Sequence, residues 1–88
     1  MDYLLFTYPN CQKCEDMKVY LRGAAFPAEV LDVAEKEGRT RIRAFLSHIR
    51  RDEKGSIILP TLVCHEDGRV AAVHNNREEF AEWLRSRG

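Results

Sequence analysis

The 88-residue sequence predicts an α/β fold in the order β-α-β-α-β-β-α, with four strands in one mixed sheet and three helices on its faces. In the first half, segments of strand length alternate with amphipathic helical stripes. Strands joined through a helix are expected to be parallel, with a right-handed crossover. In the second half, 60–65 and 69–74 flank the tight-turn signal 66–68, which predicts an antiparallel hairpin. Together these patterns predict a single layered domain over 1–88.

The first half of the chain is expected to form a strand, a helix and a second strand. Residues 3–8 are a continuous apolar and aromatic run, typical of a strand buried on both faces. Pro9 and Asn10 interrupt the run, and Asn10 is a candidate cap for the following helix. The apolar stripe of that helix consists of Cys14, Met17, Leu21 and Ala24. Pro27 excludes its continuation, and alternation over 28–33 predicts the second strand.

The second half adds two helices around the hairpin. Residues 40–51 have the i, i+3, i+4, i+7 pattern of an amphipathic helix, and Gly55 follows as a stop signal. The apolar positions of that pattern are Ile42, Phe45, Leu46 and Ile49. Asn75 and Asn76, with two glutamates after them, have the pattern of a helix N-terminus. The apolar side of this last helix consists of Phe80, Trp83 and Leu84.

Composition and charge exclude several classes of function. Fourteen basic residues balance fourteen acidic ones, so no net charge attracts the protein to nucleic acid or to an anionic membrane. The 44% hydrophobic content is typical of a folded domain, and no apolar run approaches the roughly 20 residues of a membrane span. The first residues predict a strand and not a signal peptide. We therefore expect a cytoplasmic monomer that binds neither nucleic acid nor membrane.

Cys11 and Cys14 carry the functional interpretation. A disulfide between them closes a very short loop, so it would remove little entropy from the unfolded chain and stabilise almost nothing. Residues i and i+3 of a helix lie about 5–6 Å apart at Cβ, so a small adjustment can close or open the bond. The helix N-terminus and Lys13 are expected to lower the pKa of Cys11, which makes it the nucleophile. Cys14 continues the inward stripe and should be the buried resolving thiol.

The same Cys-x-x-Cys spacing also occurs in half of a zinc site, and zinc needs four ligands. The other candidate ligands in the chain are Cys64, His48, His65 and His74. Cys64 and His65 are neighbours on a predicted strand and should point to opposite faces, so both cannot chelate one metal. We therefore expect no metal site, and we expect Cys64 to pack as a small apolar residue. A metal or iron–sulfur carrier module that uses the same cysteines stays as the alternative function.

A resemblance to a known family supports the redox interpretation. The N-terminal strand, the motif YPNCQKC at a helix start and Pro60 at the opening of the third strand resemble the glutaredoxin branch of the thioredoxin-like superfamily. The resemblance covers nearly the whole chain and implies a thioredoxin-like fold. It also implies a small thiol–disulfide oxidoreductase, with Cys11 as nucleophile and Cys14 as resolving group. A non-catalytic adaptor, such as the thioredoxin-like half of a glutathione transferase, is a third interpretation.

The resemblance further implies where substrates bind. The Leu59–Pro60 peptide bond should be cis and lie beside the active site, where Leu59 would present its backbone to an extended substrate. The implied substrates are disulfide-containing proteins or glutathione mixed disulfides. Glutathione is implied as a co-substrate, and no bound cofactor is expected. The substrate-binding candidates are Tyr8, Lys13, Arg39, Leu59, Pro60 and Asn76.

The sequence departs from the family pattern at the positions that would select glutathione. Gln12 and Lys13 stand between the cysteines, where the family commonly has Pro-Tyr, and Ile58-Leu59 replaces the common Thr-Val before the proline. The glycine pair and the aspartate that hold the γ-glutamyl end of glutathione are absent. Arg39, Arg43 and Arg50 form a basic stripe that is either a solvated flank or a dock for a carboxylate. We therefore expect weak selectivity for glutathione.

Overall fold

The elements follow the predicted order in a computed structural model, which describes residues 1–87. The strands are β1 (Asp2–Thr7), β2 (Ala28–Asp32), β3 (Thr61–Glu66) and β4 (Arg69–His74). The helices are α1 (Gln12–Gly23), α2 (Lys36–Ile42) and α3 (Arg77–Ser86), and a 3-10 helix (Arg43–His48) continues α2. The predicted fold, three helices and a four-stranded mixed sheet, is confirmed. Within the described part of the chain, no helix is long and apolar enough to cross a membrane.

The strands form one sheet in the order β2-β1-β3-β4. β1 and β2 are parallel, and β3 is antiparallel to both β1 and β4. The turn between β3 and β4 contains Asp67 and Gly68, both with positive φ, as a two-residue hairpin turn of type I′ requires. The carboxyl ends of β1 and β2 and the start of β3 meet at one edge, formed by Thr7, Asp32 and Thr61. We call this edge the site edge, because α1 and α2 both follow strands that end there.

Apolar side chains cover both faces of the sheet. Alternation along β1 sends Leu5 to one face and Leu4 and Phe6 to the other, which explains its continuous apolar run. On the first face, α1 and α3 contribute to a core of Leu5, Met17, Leu21, Leu62, Cys64 and Phe80. On the second face, α2 and the 3-10 helix contribute to a core of Leu4, Phe6, Leu31, Ile42, Phe45, Ile49 and Val63.

The second helix differs from its predicted range of 40–51. It begins at Lys36 and tightens to 3-10 geometry at Arg43, where side chains three apart eclipse one another. In this geometry Phe45 is buried, whereas Leu46 turns outward and is 37% exposed. Residues 36–41 hold no large apolar side chain, so hydrophobic periodicity could not reveal the helix start.

Candidate active site

Cys11 and Cys14 lie at the start of α1 and are joined by a disulfide, with Cα atoms 5.2 Å apart. Cys11 is the N-cap residue of the helix, with extended backbone (φ −116°, ψ 105°), and its Sγ accepts a hydrogen bond from the Cys14 N–H at 3.2 Å. The prediction that Asn10 caps this helix is wrong. Asn10 lies one residue earlier with φ 58°, a left-handed conformation that asparagine tolerates better than most residues. A sulfur atom therefore occupies the position from which a capping side chain accepts a hydrogen bond from a backbone N–H.

The two sulfurs differ in their access to solvent. Cys11 is partly exposed, whereas Cys14 is 0% exposed and lies beneath the first turn of α1. The unpaired N–H groups and the positive end of the helix dipole surround Cys11, and both favour an anion there. This arrangement gives one accessible sulfur that is stabilised as a thiolate and one shielded sulfur within bonding distance of it.

The charged side chains of the first turns of α1 modify this local field. Lys13 is exposed and lies between the two cysteines in sequence. The Glu15 carboxylate pairs with Lys18 Nζ at 2.8 Å. Asp16 Oδ1 accepts a hydrogen bond from Gln12 Nε2 at 3.1 Å. The negative charge of Glu15 is thus partly compensated by a cation, and Lys13 adds a positive charge beside the cysteine pair.

The Leu59–Pro60 peptide bond is cis, as the resemblance implied, and Pro60 is buried directly before β3. A cavity of about 400 Å³ lies between the start of α1, the segment before β3 and the start of α3. Its lining consists of Lys13, Asp16, Met17, Ile58, Leu59, Asn75, Asn76, Arg77 and Glu78. Three of the predicted substrate-binding residues, Lys13, Leu59 and Asn76, are therefore brought together on one cavity beside the cysteine pair.

Asn76 also has a structural task, because it is the N-cap of α3. Its side-chain oxygen accepts a hydrogen bond from the Glu79 N–H at 2.8 Å, which satisfies one of the free donors of the helix start. The helix N-terminus predicted at Asn75 and Asn76 is thus confirmed.

Tyr8, Arg39 and Pro60 are not among the residues that line this cavity. Tyr8 follows β1 and is 54% exposed. Arg39 lies in α2, where its Nη1 donates to the carbonyl oxygen of Ala34 at 2.6 Å. The basic stripe of Arg39, Arg43 and Arg50 is interrupted, because it required the 100° per residue of a continuous α-helix and the chain becomes 3-10 at Arg43. The substrate-binding roles of all six candidate residues stay predictions.

A buried polar network around Asn75, at the side of the cavity, was not predicted from the sequence. Asn75 is 8% exposed, and its Nδ2 lies 3.2 Å from the carbonyl oxygen of Ile58 and 3.1 Å from that of Pro60. The same Nδ2 is 3.2 Å from Thr61 Oγ1, and Asn75 Oδ1 accepts a hydrogen bond from Arg50 Nη1 at 3.1 Å. The only sequence signal at Asn75 was the pattern of a helix start, which does not indicate long-range partners.

Glu79 joins this network from the first turn of α3. Its Oε1 accepts a hydrogen bond from the Asn75 N–H at 2.7 Å, and Arg50 Nη1 reaches both carboxylate oxygens, at 3.0 Å and 2.8 Å. Burial alone would raise the pKa of Glu79, but the hydrogen bonds from Asn75 and Arg50 outweigh it and hold the pKa below its ordinary value. Burial lowers the pKa of the neighbouring His74, so this imidazole resists protonation.

Cys64 lies apart from the cysteine pair and is a free, fully buried thiol in β3. Burial raises the pKa of Cys64 to about 12, which keeps it protonated and unreactive. Its predicted packing as a small apolar residue is confirmed. His65 points to the opposite face, where its ring lies 5.3 Å from that of Phe45. Within residues 1–87, no group of three or more histidine, cysteine, aspartate or glutamate side chains could hold a metal ion.

Comparison with known proteins supports the fold independently of the sequence pattern. No family model matches the chain, and no curated protein matches it. The solved structure of the thioredoxin-like protein BC3987 is similar, with a TM-score of 0.62 and 22% identity. A mutant of that protein gives a TM-score of 0.64 at 23% identity, and in both cases 94% of this chain and 99% of the other chain are covered.

The chain thus has a thioredoxin-like fold. Its Cys-x-x-Cys pair lies at the start of the first helix and is joined by a disulfide. This combination is compatible with an oxidoreductase.

Proposed function

We propose that the protein is a small thiol–disulfide oxidoreductase of glutaredoxin type that reduces protein or glutathione mixed disulfides. One observation carries this proposal: the Cys11 Sγ is the N-terminal cap of α1, while Cys14 lies fully buried one turn further on. A capping sulfur at a helix N-terminus is stabilised as the thiolate, which is the attacking species in exchange. The fold and the cavity beside the pair supply the setting for a substrate.

The chemistry follows from the two positions. In the reduced protein, the Cys11 thiolate attacks one sulfur of a substrate disulfide, and the other substrate sulfur leaves as a thiolate. Cys14 then loses its proton to water, and its thiolate attacks the Cys11 sulfur of the mixed disulfide. The second substrate sulfur leaves, and the Cys11–Cys14 disulfide remains. Two electrons from an external thiol reductant return the pair to the dithiol state.

The residues that line the cavity are suited to binding a polypeptide segment, which we propose as one class of substrate. Leu59 is half-buried on its wall and would offer its backbone to an extended chain as a short antiparallel ladder. Lys13 and Arg77 contribute positive charge to the lining, and Asp16 and Glu78 contribute negative charge. Because the proposed cycle needs a thiol reductant, we propose glutathione as the co-substrate. We also propose that the protein works as a monomer in the cytoplasm.

Alkylation of the reduced protein as a function of pH tests the proposal. We expect Cys11 to react with iodoacetamide with a pKa well below the ordinary value of about 8.5, because the helix N-terminus and Lys13 stabilise its thiolate. Peptide mass spectrometry reports each cysteine separately, and the buried Cys64 should stay unmodified in the folded protein. Lys13→Met should move the pKa of Cys11 upward. Arg22→Met is the matched control in the same helix, since Arg22 lies in the last turn of α1, at the opposite end from the cysteine pair.

Two results of this experiment would count against the assignment. An ordinary pKa at Cys11 would show that the cap position does not stabilise the thiolate. Faster alkylation of Cys14 than of Cys11 would reverse the proposed roles of the two thiols.

The use of glutathione is tested separately at Arg39. If the guanidinium holds a carboxylate of glutathione, Arg39→Ala should raise the KM for a glutathionylated peptide several-fold and leave kcat unchanged, as expected for a uniform binding contact. Arg43→Ala is the matched control, because Arg43 is an exposed arginine at the start of the 3-10 helix, close to Arg39 in sequence. Equal KM values for wild type and both variants would identify the stripe as a solvated flank.

A further inference from the structure

We infer that Asn75 is a positioning residue for polypeptide substrates, because its side chain holds the segment Ile58–Pro60, of which Ile58 and Leu59 form a wall of the cavity. This inference rests on the proposed function and adds a hydrogen-bond network that affects the binding of polypeptide substrates but not of small disulfides. Two other residues belong to this network. Thr61 donates a hydrogen bond to the Ile58 carbonyl oxygen, and Arg50 orients the Asn75 amide.

The hydrogen bonds to the wall are concentrated on the residues on either side of Leu59. The Ile58 carbonyl oxygen accepts from Asn75 Nδ2 at 3.2 Å and from Thr61 Oγ1 at 2.6 Å. The Ile58 N–H donates to the Arg50 carbonyl oxygen at 3.1 Å. The Pro60 carbonyl oxygen accepts from the same Asn75 Nδ2 at 3.1 Å. Leu59 is thus held between two residues that one buried amide group ties together.

The chemistry of the amide explains why this position requires asparagine. Its Nδ2 carries two N–H groups that face carbonyl oxygens, and its Oδ1 accepts from Arg50 Nη1 at 3.1 Å. A carboxylate of the same shape has no donor and would place an anion against the two carbonyl oxygens. Arg50 fixes which end of the amide faces the wall, since a guanidinium can only donate.

Arg50 is itself anchored by elements other than the wall. Its Nη1 reaches the carboxylate of Glu79 at 2.8 Å, and its Nη2 donates to the carbonyl oxygen of Val73 at 3.2 Å. Glu79 also accepts from the Asn75 N–H at 2.7 Å. The end of β4 and the first turn of α3 are therefore connected through Asn75 to the segment that forms the cavity wall.

This arrangement predicts a difference between two kinds of substrate. An extended peptide that pairs with the Leu59 backbone needs the wall in a fixed place, so loosening the wall should weaken its binding. A small aromatic disulfide such as dithiobis(nitrobenzoate) needs only access to the Cys11 sulfur, so its reaction should be indifferent to the wall.

Steady-state kinetics on Asn75→Asp, with a disulfide-bonded peptide and with dithiobis(nitrobenzoate), tests the inference. We expect kcat/KM for the peptide to fall about ten-fold through a higher KM, a change equal to the loss of one to two hydrogen bonds. Because a carboxylate at position 75 would also repel the anionic dithiobis(nitrobenzoate), the wild-type rate with this small disulfide and the wild-type pH profile of Cys11 alkylation are expected in the uncharged variant Thr61→Val. A matched pair at Thr61 serves if the aspartate variant does not fold. Thr61→Val removes the hydroxyl at constant shape, and Thr61→Ser should restore peptide binding.

Each outcome bears on one claim. Parallel losses with both substrates in Thr61→Val, or equal peptide KM values for Thr61→Val and Thr61→Ser, would overturn the positioning role of the network. A wild-type protein that does not react with dithiobis(nitrobenzoate) at Cys11 would instead contradict the proposed function, independently of any variant at Asn75.

Discussion

Cys14→Ser is expected to accumulate a mixed disulfide between Cys11 and its substrate, whereas Cys11→Ser should lose disulfide exchange down to the uncatalysed background. The reason is the difference in access to the two sulfurs. Cys11 is partly exposed at the cap of α1, and Cys14 is 0% exposed behind it. Cys14 can therefore act only after Cys11 has formed the adduct, by attacking the Cys11 sulfur from within. Without Cys14 the first step persists and the second is missing.

The choice of substrate sharpens this expectation. Free glutathione can release the adduct from outside, so Cys14→Ser should keep part of its activity on small glutathionylated substrates. Reduction of an intramolecular protein disulfide needs both thiols and should be nearly abolished. Mass spectrometry after mixing each variant with a disulfide substrate detects the adduct directly. Cys64→Ser is the control, since a fully buried thiol with a pKa of about 12 should contribute nothing to exchange.

A metal or iron–sulfur carrier would behave in a different way. Loss of either cysteine would remove a ligand, so Cys11→Ser and Cys14→Ser should fail alike and neither should trap a substrate. Equal behaviour of the two variants, with loss of bound metal from both, would therefore contradict the oxidoreductase assignment and support the alternative function.

The fold could be predicted because its signals are local and repeated. The continuous apolar run of β1 and the hairpin turn at Asp67 and Gly68 each restrict the backbone over a few residues. The start of α2 could not be predicted in this way. Its first residues carry no large apolar side chain, and the helix forms where Gly38 packs against the end of β2, so tertiary packing selects that conformation.

In the candidate site, too, the local features could be predicted and the long-range contacts could not. Cys11, Cys14 and the helix start lie within four residues of one another, so spacing and helix geometry predicted their arrangement. The predicted cap was wrong by one residue, because asparagine is a common capping residue and cysteine is not, and only the backbone conformation shows that Cys11 caps the helix. The network around Asn75 joins residues as much as 29 positions apart. Such hydrogen-bond partners depend on how the sheet and the helices pack. No local sequence pattern indicates them, so they could not be predicted.

Gly38→Ala is expected to destabilise the fold although it adds only one methyl group. Gly38 is buried in α2, where the helix passes against the end of β2. A methyl group at this position would overlap the Asp32 carbonyl oxygen, and the carbonyl carbon would lie only 2.6 Å away. The obstacle is backbone at the site edge, so no side-chain rotation can relieve the overlap. The helix must shift from the sheet, at a cost of about 1–3 kcal/mol or more in the free energy of unfolding.

Gly23→Ala provides the matched comparison for this substitution. Gly23 ends α1, and a methyl group there would meet no atom within 4 Å. Because alanine favours helix over glycine by up to ~1 kcal/mol, this variant should be as stable as the wild type or slightly more stable. Urea unfolding of the two variants measures the difference, and alkylation of Cys11 reports on the site. Since α1 packs on the opposite face of the sheet from α2, the folded fraction of Gly38→Ala should keep the wild-type pKa of Cys11. Equal unfolding midpoints for the two alanine variants would show that α2 can move away from Asp32 at little cost, and a raised pKa of Cys11 in Gly38→Ala would show that the two faces are coupled through the site edge.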